Sequence, residues 1–259
     1  MVITLLGTGT SQGVPVIGCD CEVCRSVDFR DKRLRTSVHI QTDDLSLVID
    51  TGPDFRQQML RERINTLDAV LFTHEHKDHT AGLDDIRAYN FRQNRDMPVY
   101  GQQRVLDSLQ RDFAYAFAEF KYPGIPQIQL HTIDGHPFSI QNTTIIPIDV
   151  LHYKLPVLGF RIGDFSYITD ANYISETEME KLKGSRVIVF DALQQEPHLS
   201  HFTLNEAVEI LTRLQPEEAY LTHISHRMGL HSSINKILPP FIRMGYDGMQ
   251  IRMNNKIPV

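Results

Sequence analysis

Short apolar runs separated by polar turns recur along most of the chain, which is the pattern of buried strands. Residues 37–42 and 45–50 flank the acidic pair Asp43-Asp44 and predict a β-hairpin. Residues 68–73 form another apolar run, which leads directly into a group of histidines. Further strands are predicted over residues 2–6, within 127–169, and over 187–191, 218–222 and 249–253.

Helix-forming segments separate these strands. Pro53 sits where a helix can start, and the residues that follow it to position 63 are mostly good helix formers. Strand-rich halves that each close with helix–strand units favour two sheets packed face to face with helices outside. Since no repeat or linker interrupts the chain, residues 1–259 are expected to form a single domain. Other helices are predicted over residues 102–120, 175–183 and 203–214.

Composition narrows the class of protein. The 259 residues are 41% hydrophobic and 22% charged, as in ordinary soluble globular proteins. No apolar window reaches the roughly 20 residues of a membrane helix, and the start of the chain has no basic leader of a secretory signal. A net charge of −6 argues against sequence-independent binding of polynucleotides. We therefore expect a cytoplasmic protein without a membrane or nucleic-acid partner.

Three cysteines lie within six positions, at Cys19, Cys21 and Cys24. A disulfide framework uses an even number of cysteines spread along the chain, so this group favours a reduced compartment and a metal ion. Three reduced cysteines in a surface loop remain the alternative, because this group supplies only three of the four ligands that a structural zinc needs.

The most informative segment follows the strand predicted over residues 68–73. It places four polar side chains in a loop that cannot bury them in an apolar core: His74, His76, Asp78 and His79. In an extended chain His74 and His76 point to the same side and can bind one ion. Asp78 and His79 begin a helix and can face a second ion. Imidazole and carboxylate ligands suit zinc, manganese or iron.

Three distant residues share one arrangement, in which a strand delivers a polar side chain at its end. His152, Asp170 and His223 each follow an apolar run. This arrangement places them on one rim of the sheets, where they can complete a two-metal site. Asp50 also lies at a strand end, and we expect it to accept a hydrogen bond from a ligand imidazole and to fix its tautomer.

The run His74-x-His76-x-Asp78-His79, followed by a distant His, Asp and His, resembles the binuclear metallo-β-lactamase fold over nearly the whole chain. The resemblance implies an α/β fold, a four-layer αββα sandwich of two mixed β-sheets with outer helices. It also implies two divalent ions, zinc or manganese, that share a bridging hydroxide. In that family's order, one ion is held by His74, His76 and His152, the other by Asp78, His79 and His223, with Asp170 bridging.

Three further parts of the chain are similar to the PhnP-type phosphodiesterases. They are residues 7–15 running into 18–24, residues 221–226 and residues 246–249. This resemblance implies that the chain hydrolyses phosphoribosyl 1,2-cyclic phosphate or another small cyclic phosphodiester.

The same resemblance implies roles beyond that of binding the two active-site ions. A histidine at the place of His201 reaches the phosphate in the phosphodiesterase and tRNase Z branches, so His201 is the candidate general acid or oxyanion partner. Asp78 is the second candidate catalytic residue, beside its place as a ligand. The PhnP-type match for His226 completes the cysteine site in the loop 18–24, which implies a structural zinc bound by Cys19, Cys21, Cys24 and His226.

Three alternative functions stay open. A tRNase Z-like endonuclease shares the ligands, but only seventeen residues separate His152 from Asp170, which leaves no room for the arm that grips tRNA. A glyoxalase-type thioesterase has similar ligands without a cysteine-rich loop. A non-enzymatic binding module would not need the full ligand set. The exact substrate, the native metal and the oligomeric state, a homodimer included, are undetermined by the sequence.

Overall fold

The computed structural model, which describes residues 1–120 and 122–253, contains two mixed β-sheets. The first six strands are β1 (Val2–Gly7), β2 (Ser37–Gln41), β3 (Ser46–Ile49), β4 (Ala69–Leu71), β5 (Met97–Gly101) and β6 (Ile128–Thr132). The later strands are β7 (Phe138–Ile140), β8 (Thr143–His152), β9 (Leu155–Ile162), β10 (Phe165–Tyr167), β11 (Tyr173–Ile174), β12 (Val187–Asp191), β13 (Glu218–Thr222), β14 (Ile242–Met244) and β15 (Gln250–Arg252).

The two sheets have the same kind of strand pairing, antiparallel on one side and parallel on the other. The first has the order β15-β1-β2-β3-β4-β5-β6, and the second has the order β11-β8-β9-β10-β12-β13-β14, with β7 paired to β8. In the first sheet, pairing is antiparallel from β15 to β3 and parallel from β3 to β6. In the second, it is antiparallel from β11 to β10 and parallel from β10 to β14. Parallel strands end at the same edge, so each sheet gathers the residues that follow them at one rim.

Helices connect the strands of both sheets. They are α1 (Glu22–Arg25), α2 (Phe55–Glu62), α3 (Lys77–Thr80), α4 (Arg87–Gln93), α5 (Gln103–Asp112), α6 (Ala114–Phe117), α7 (Glu176–Leu182), α8 (Leu204–Leu214) and α9 (His231–Ile234). Within the described residues, none of them is both long and apolar enough to span a bilayer.

Three apolar layers stack through the molecule. The middle layer joins the facing sides of the sheets, with Ile40 and Leu47 from the first and Phe160 and Val189 from the second. Another layer packs the outer face of the first sheet against α2, α4 and α5. The last packs the outer face of the second sheet against α7 and α8. Helices therefore cover both outer faces, and the predicted αββα sandwich is confirmed.

The helix predicted over residues 102–120 is shorter and bent. It ends at Asp112, turns at Phe113 and resumes only for Ala114–Phe117. The turn allows Phe113 and Phe117 both to pack on the outer apolar layer of the first sheet. The apolar pattern also does not predict β5 or β14, because β5 contains a proline and β14 has only three residues.

Two glycines allow the loop after β3 to lie against α3. A Cβ atom on Gly52 would be 2.1 Å from the backbone oxygen of Asp78, and one on Gly82 would be 2.1 Å from the backbone oxygen of Gly52. Only glycine permits so close an approach. The Thr51 N–H donates to the His79 carbonyl at 2.8 Å, so the loop and the helix are held together at the edge of the sheet.

Buried His39 in β2 should make folding depend on pH. Its Nε2 lies 2.9 Å from the Ser46 hydroxyl, and burial lowers its pKa to about 4. Because the unfolded pKa is about 6.5, the unfolded chain binds the proton more readily, and stability present above that pH is lost as the pH falls toward 4. We expect His39→Gln to remove about 2 kcal/mol of the stability difference between about pH 7 and about pH 5. Urea unfolding at both pH values measures this, and an equal loss in both proteins would contradict it.

Candidate metal centre

The strand ends place the predicted ligands along one rim of the two sheets. His152 is the last residue of β8, and His223 directly follows β13. Asp50 directly follows β3. His74 and Asp170 each lie three residues beyond a strand, β4 and β10 respectively. The structure therefore brings together side chains from both sheets, as the strand-end pattern predicts.

Three of these residues have a left-handed backbone. The φ angles are 65° at Asp50, 51° at Asp170 and 57° at His223. Residues other than glycine rarely adopt this region, and each instance costs about 1–3 kcal/mol. Such a conformation persists only where the surrounding structure fixes it. Here it occurs at three strand ends of a single rim, which supports a functional reason for the strain.

His79 lies among carboxylates. Its Nδ1 donates a hydrogen bond to Asp50 at 2.7 Å. Its Nε2 is buried and lies 3.1 Å from Asp170 and 3.3 Å from Asp78, yet it is aligned with neither for a hydrogen bond. A buried nitrogen without a partner is rare. An imidazole with its other nitrogen held by a carboxylate is the common form of a metal ligand, so His79 fits a metal ion at Nε2.

Asp50 also orients His74, through Thr73. Its carboxylate accepts hydrogen bonds from the Thr73 N–H at 2.9 Å and the Thr73 hydroxyl at 2.8 Å. Because this hydroxyl gives its proton to Asp50, it accepts one from His74 Nδ1 at 2.9 Å. The Nε2 of His74 then has a free lone pair. Asp50 thus lies where a residue that fixes ligand tautomers has to lie.

The group predicted for one ion is Asp78, His79 and His223, with Asp170 shared. The ligand atoms of these four residues all lie within 4.8 Å of one another. One oxygen of Asp170 is 3.1 Å from His79 Nε2, and the other is 3.3 Å from His223 Nε2. Neither ring nitrogen of His223 has a hydrogen-bond partner among the described residues. This set of carboxylate and imidazole donors fits zinc or manganese.

Charges inside this group shift the pKa values of its members. Burial alone would raise the pKa of Asp170, but the imidazoles of His223 and His79 hold it well below its usual range. Burial alone would lower the pKa of His79, but the neighbouring carboxylates, Asp170 first, raise it well above its usual value. The Asp170 carboxylate is therefore negative at neutral pH, as a cation site requires.

The group predicted for the other ion, His74, His76 and His152, lies beside it. The ring centroid of His74 is 4.5 Å from that of His76 and 5.8 Å from that of His152. His74 Nε2 and His76 Nδ1 are 2.9 Å apart. Two nitrogens bound to one zinc ion at the tetrahedral angle lie about 3.3 Å apart, so this spacing is close to that of a shared ion. The Nδ1–H of His152 donates to the Ser200 carbonyl at 2.8 Å, which leaves the Nε2 atom of His152 free to bind a metal ion.

Asp191 is absent from the predicted set, although it lies directly behind the site. It is the last residue of β12 and is fully buried. Its two oxygens lie 3.4 Å from His201 Nδ1 and 3.6 Å from His223 Nδ1. Its place at the end of an apolar strand is the same sequence signal that identifies Asp170. A search for every carboxylate at a strand end therefore also identifies Asp191.

His201 lies at the same rim and is 7% exposed. Its ring centroid is 4.5 Å from that of His152 and 4.5 Å from that of His223. It also offers a ligand atom within 4.8 Å of those of His152 and Asp170, so binding of a metal ion is a geometric alternative to proton donation. Burial would lower the pKa of His201, but Asp191 raises it above its usual value, which favours the protonated form that a general acid needs.

Cys19, Cys21, Cys24 and His226 form a separate group. The three sulfur atoms lie 3.2, 3.5 and 3.6 Å from His226 Nδ1, in that order. Sulfur and nitrogen ligands of one zinc ion lie about 3.6 Å apart. The three thiols are free, and the Cys24 N–H together with His226 lowers the pKa of Cys21 to about 6. That shift favours the thiolate form of Cys21, whereas burial raises the pKa of Cys24 to about 11. The spacing of the four ligand atoms is therefore what fits a four-coordinate zinc.

Comparisons with known proteins agree with this fold. Residues 46–224 match the family model described as the β-lactamase superfamily domain. A solved diphosphatase of the PhnP family is 39% identical, with a TM-score of 0.91 over 96% of this chain and 96% of its own. Zinc-bound PqqB from Methylobacterium extorquens has a TM-score of 0.79 over 98% of this chain and 100% of its own. At 16% identity, PqqB shows the fold alone.

One curated relative has a different activity in its name. The octanoyltransferase of Porphyromonas gingivalis (strain ATCC BAA-308 / W83) is 43% identical over 255 residues, which are 97% of this chain and 51% of that protein. The chain thus spans about half the length of this relative. The superfamily model and the PhnP-family structure both match most of the chain. The chain therefore belongs to the PhnP family of metallo-β-lactamase-fold hydrolases.

Proposed function

We propose that the chain hydrolyses a small cyclic phosphodiester with two divalent metal ions held at the rim of the sheets. The observation that carries this proposal is the convergence of seven predicted ligands, among which buried imidazole nitrogens lack hydrogen-bond partners. One ion would be held by His74, His76 and His152, the other by Asp78, His79 and His223, and Asp170 lies between the two groups. Zinc and manganese both suit these donors.

Bound ions of this kind polarise a phosphoryl oxygen and lower the pKa of water toward about 7. The chain's own residues orient the ligand imidazoles and supply a proton to the leaving group. Asp50 and Thr73 fix the tautomers of His79 and His74, so that their Nε2 atoms face the site. His201, whose pKa Asp191 raises, is placed to donate a proton to the sugar oxygen that leaves when the cyclic ester opens.

The cavity beside His201 supports a small substrate. It has a volume of about 230 Å³ and is lined by His201, His223 and polar residues of the loops around them. A space of this size fits a sugar phosphate better than a folded polynucleotide. The 39% identity to a PhnP-family diphosphatase supports phosphoryl chemistry.

Acyl chemistry is the second candidate. The 43% identity to a protein named octanoyltransferase favours it. That protein is about twice as long as the region it shares with this chain, so its name alone does not assign an activity to the shared half.

A panel of substrates separates these functions. We expect turnover of a nucleoside 2′,3′-cyclic phosphate to a monoester, with no comparable turnover of precursor tRNA, a glutathione thioester or an octanoyl thioester. Phosphorus NMR of the product identifies the bond that is cleaved. A higher kcat/KM for either thioester or for tRNA would overturn the proposal.

His201→Ala should lower kcat by roughly 10²–10⁴-fold, the usual loss for a general acid or base, while the active-site metal content stays unchanged. Elemental analysis beside steady-state kinetics measures both quantities. His136→Ala, which changes an exposed histidine in a turn, is the matched control and should behave as wild type. Loss of metal from His201→Ala would show that His201 is a ligand or a structural residue instead.

A further inference from the structure

A second cavity lies between α2 and α4, among the helices that cover the outer face of the first sheet. Its volume is about 480 Å³, about twice that of the cavity beside His201. None of the residues that line it belongs to the predicted ligand groups. Its floor is apolar and is formed by the buried side chains of Phe55, Met59 and Tyr89. A concave apolar space of this size is typical of sites for small molecules.

The walls of this cavity carry uncovered apolar side chains. Leu60 of α2 lines one wall and is 62% exposed, and Ala88 of α4 is exposed on the other. The Tyr89 hydroxyl donates to the Ile64 carbonyl at 2.8 Å, so the one polar atom of that side chain is already engaged. An apolar chain bound here would therefore leave water without displacing a polar contact.

Three arginines line the cavity, Arg56, Arg63 and Arg92. Their side chains make no hydrogen bond or ion pair with any residue that the structure describes. The other arginines of the two helices, Arg61 and Arg87, are both in ion pairs with neighbouring carboxylates. On α2 and α4 the unpaired guanidinium groups are thus those that face the cavity. Each offers N–H donors in a fork that matches a carboxylate.

The charges are unevenly placed along the cavity. Both helices connect parallel strands of the first sheet and so run in the same direction. Arg63 directly follows α2 and Arg92 lies in the last turn of α4, so both lie toward one end of the cavity. The single carboxylate among the lining residues, Asp85, precedes α4 and lies toward the other end with Arg56. Cations at one end of an apolar groove suit a ligand with an apolar chain and an anionic head.

We propose that this groove binds a medium-chain carboxylate, with its head at Arg63 and Arg92 and its alkyl chain between Leu60 and Ala88. The stretch from Arg56 to Arg63 spans about 10 Å, roughly the length of an extended chain of eight to ten carbons. An α-helix with its side chains is about 10–12 Å wide, so a space of this volume favours a single alkyl chain over a docked helix. The groove lies outside the candidate metal centre, so this inference is independent of the proposed hydrolysis.

Calorimetric titration with decanoate, kept below the concentration at which it forms micelles, tests the site. We expect saturable binding that is about 10-fold weaker in Arg63→Ala or in Arg92→Ala, the loss of about one charge-assisted hydrogen bond. Ala88→Trp, which fills the groove from an exposed position, should abolish binding. If that variant does not fold, Leu60→Asp on the opposite wall should have the same effect. Arg111→Ala, which removes an exposed arginine of α5 outside the cavity, is the matched control and should bind as wild type.

Carbon-13-labelled methionine methyl groups show where decanoate binds. The Met59 signal, assigned by its loss in Met59→Leu, should shift on titration, while that of Met179, buried against the second sheet, should not. Decanol, which has the same chain and no charge, should bind at least 10-fold more weakly.

Three results would overturn the proposal. The first is the absence of saturable decanoate binding, or an unmoved Met59 signal. The second is equal binding of decanol and decanoate, or an unchanged affinity in both Arg63→Ala and Arg92→Ala. The third is binding to phosphatidylglycerol vesicles without binding of free decanoate, because the arginines would then contact a membrane surface.

Discussion

Asp170→Asn should remove metal from the active site and lower kcat/KM for a cyclic phosphodiester by about a thousandfold or more. The two oxygens of Asp170 lie 3.1 Å from His79 Nε2 and 3.3 Å from His223 Nε2. The Asp170 carboxylate also lies within 4.8 Å of the ligand atom of His152, so it faces both predicted ligand groups. An amide removes the negative charge and offers only one acceptor oxygen. Loss of an ion that stabilises phosphoryl charge costs several kcal/mol in the transition state, which corresponds to about three orders of magnitude.

Metal analysis and kinetics on the same preparation measure this prediction. Asp164→Asn is the matched control, since Asp164 lies in an exposed turn between β9 and β10 and should give wild-type metal content and rate. Thermal unfolding checks that Asp170→Asn is folded. Wild-type metal content together with wild-type turnover in Asp170→Asn would contradict the assignment of the site.

Cys21→Ser should remove about one zinc ion per chain and lower the unfolding temperature by about 10 °C, with any loss of activity following indirectly. Three thiolates and an imidazole make a closed four-coordinate site with no position for water. In the same region, the Ile224 N–H donates to the Thr8 carbonyl at 2.8 Å. Gly9 also forms isolated backbone β-bridges with Arg35 and with Ile224. A zinc ion here would tie the first loop of the chain to the turn after His223, two segments about two hundred residues apart.

His223→Ala, three residues from His226, is the informative counterpart. It should lose active-site metal and turnover at a smaller cost in unfolding temperature, because it leaves the cysteine group intact. Zinc content in Cys21→Ser equal to that of the wild type would show that the cysteines are ordinary loop residues. In that case no zinc ion would hold the first loop beside the active site.

The layers, and the rim where the candidate ligands meet, could be predicted because both follow from local pattern. Apolar runs mark the strands, and the fold places strand ends together, so His152, Asp170 and His223 could be placed on one rim without knowing the order of the strands. The histidine segment needed no tertiary information, since its ligands are neighbours in sequence. Asp50 could be placed on the rim because it also lies at a strand end. Its hydrogen bonds with Thr73 and His79 agree with the expected position.

Other features depend on contacts that sequence spacing does not encode. The approach of His226 to the three cysteines needs the packing of the first loop against the turn after β13, and only the family resemblance indicated it. The strand-end signal can locate Asp191, but it cannot show which side chains Asp191 faces, and its role appears only once His201 and His223 are seen on either side. The bend at Phe113 depends on which aromatic rings reach the outer layer.

We expect hydrolysis to depend on metal ions held by the His74–His79 cluster and its distant partners. The most direct test removes the metal with a chelator, follows hydrolysis of a cyclic phosphodiester, and then adds zinc or manganese back to the same sample. We expect no turnover after chelation and recovery of turnover as metal is restored. Undiminished turnover in protein shown by elemental analysis to be metal-free would contradict it.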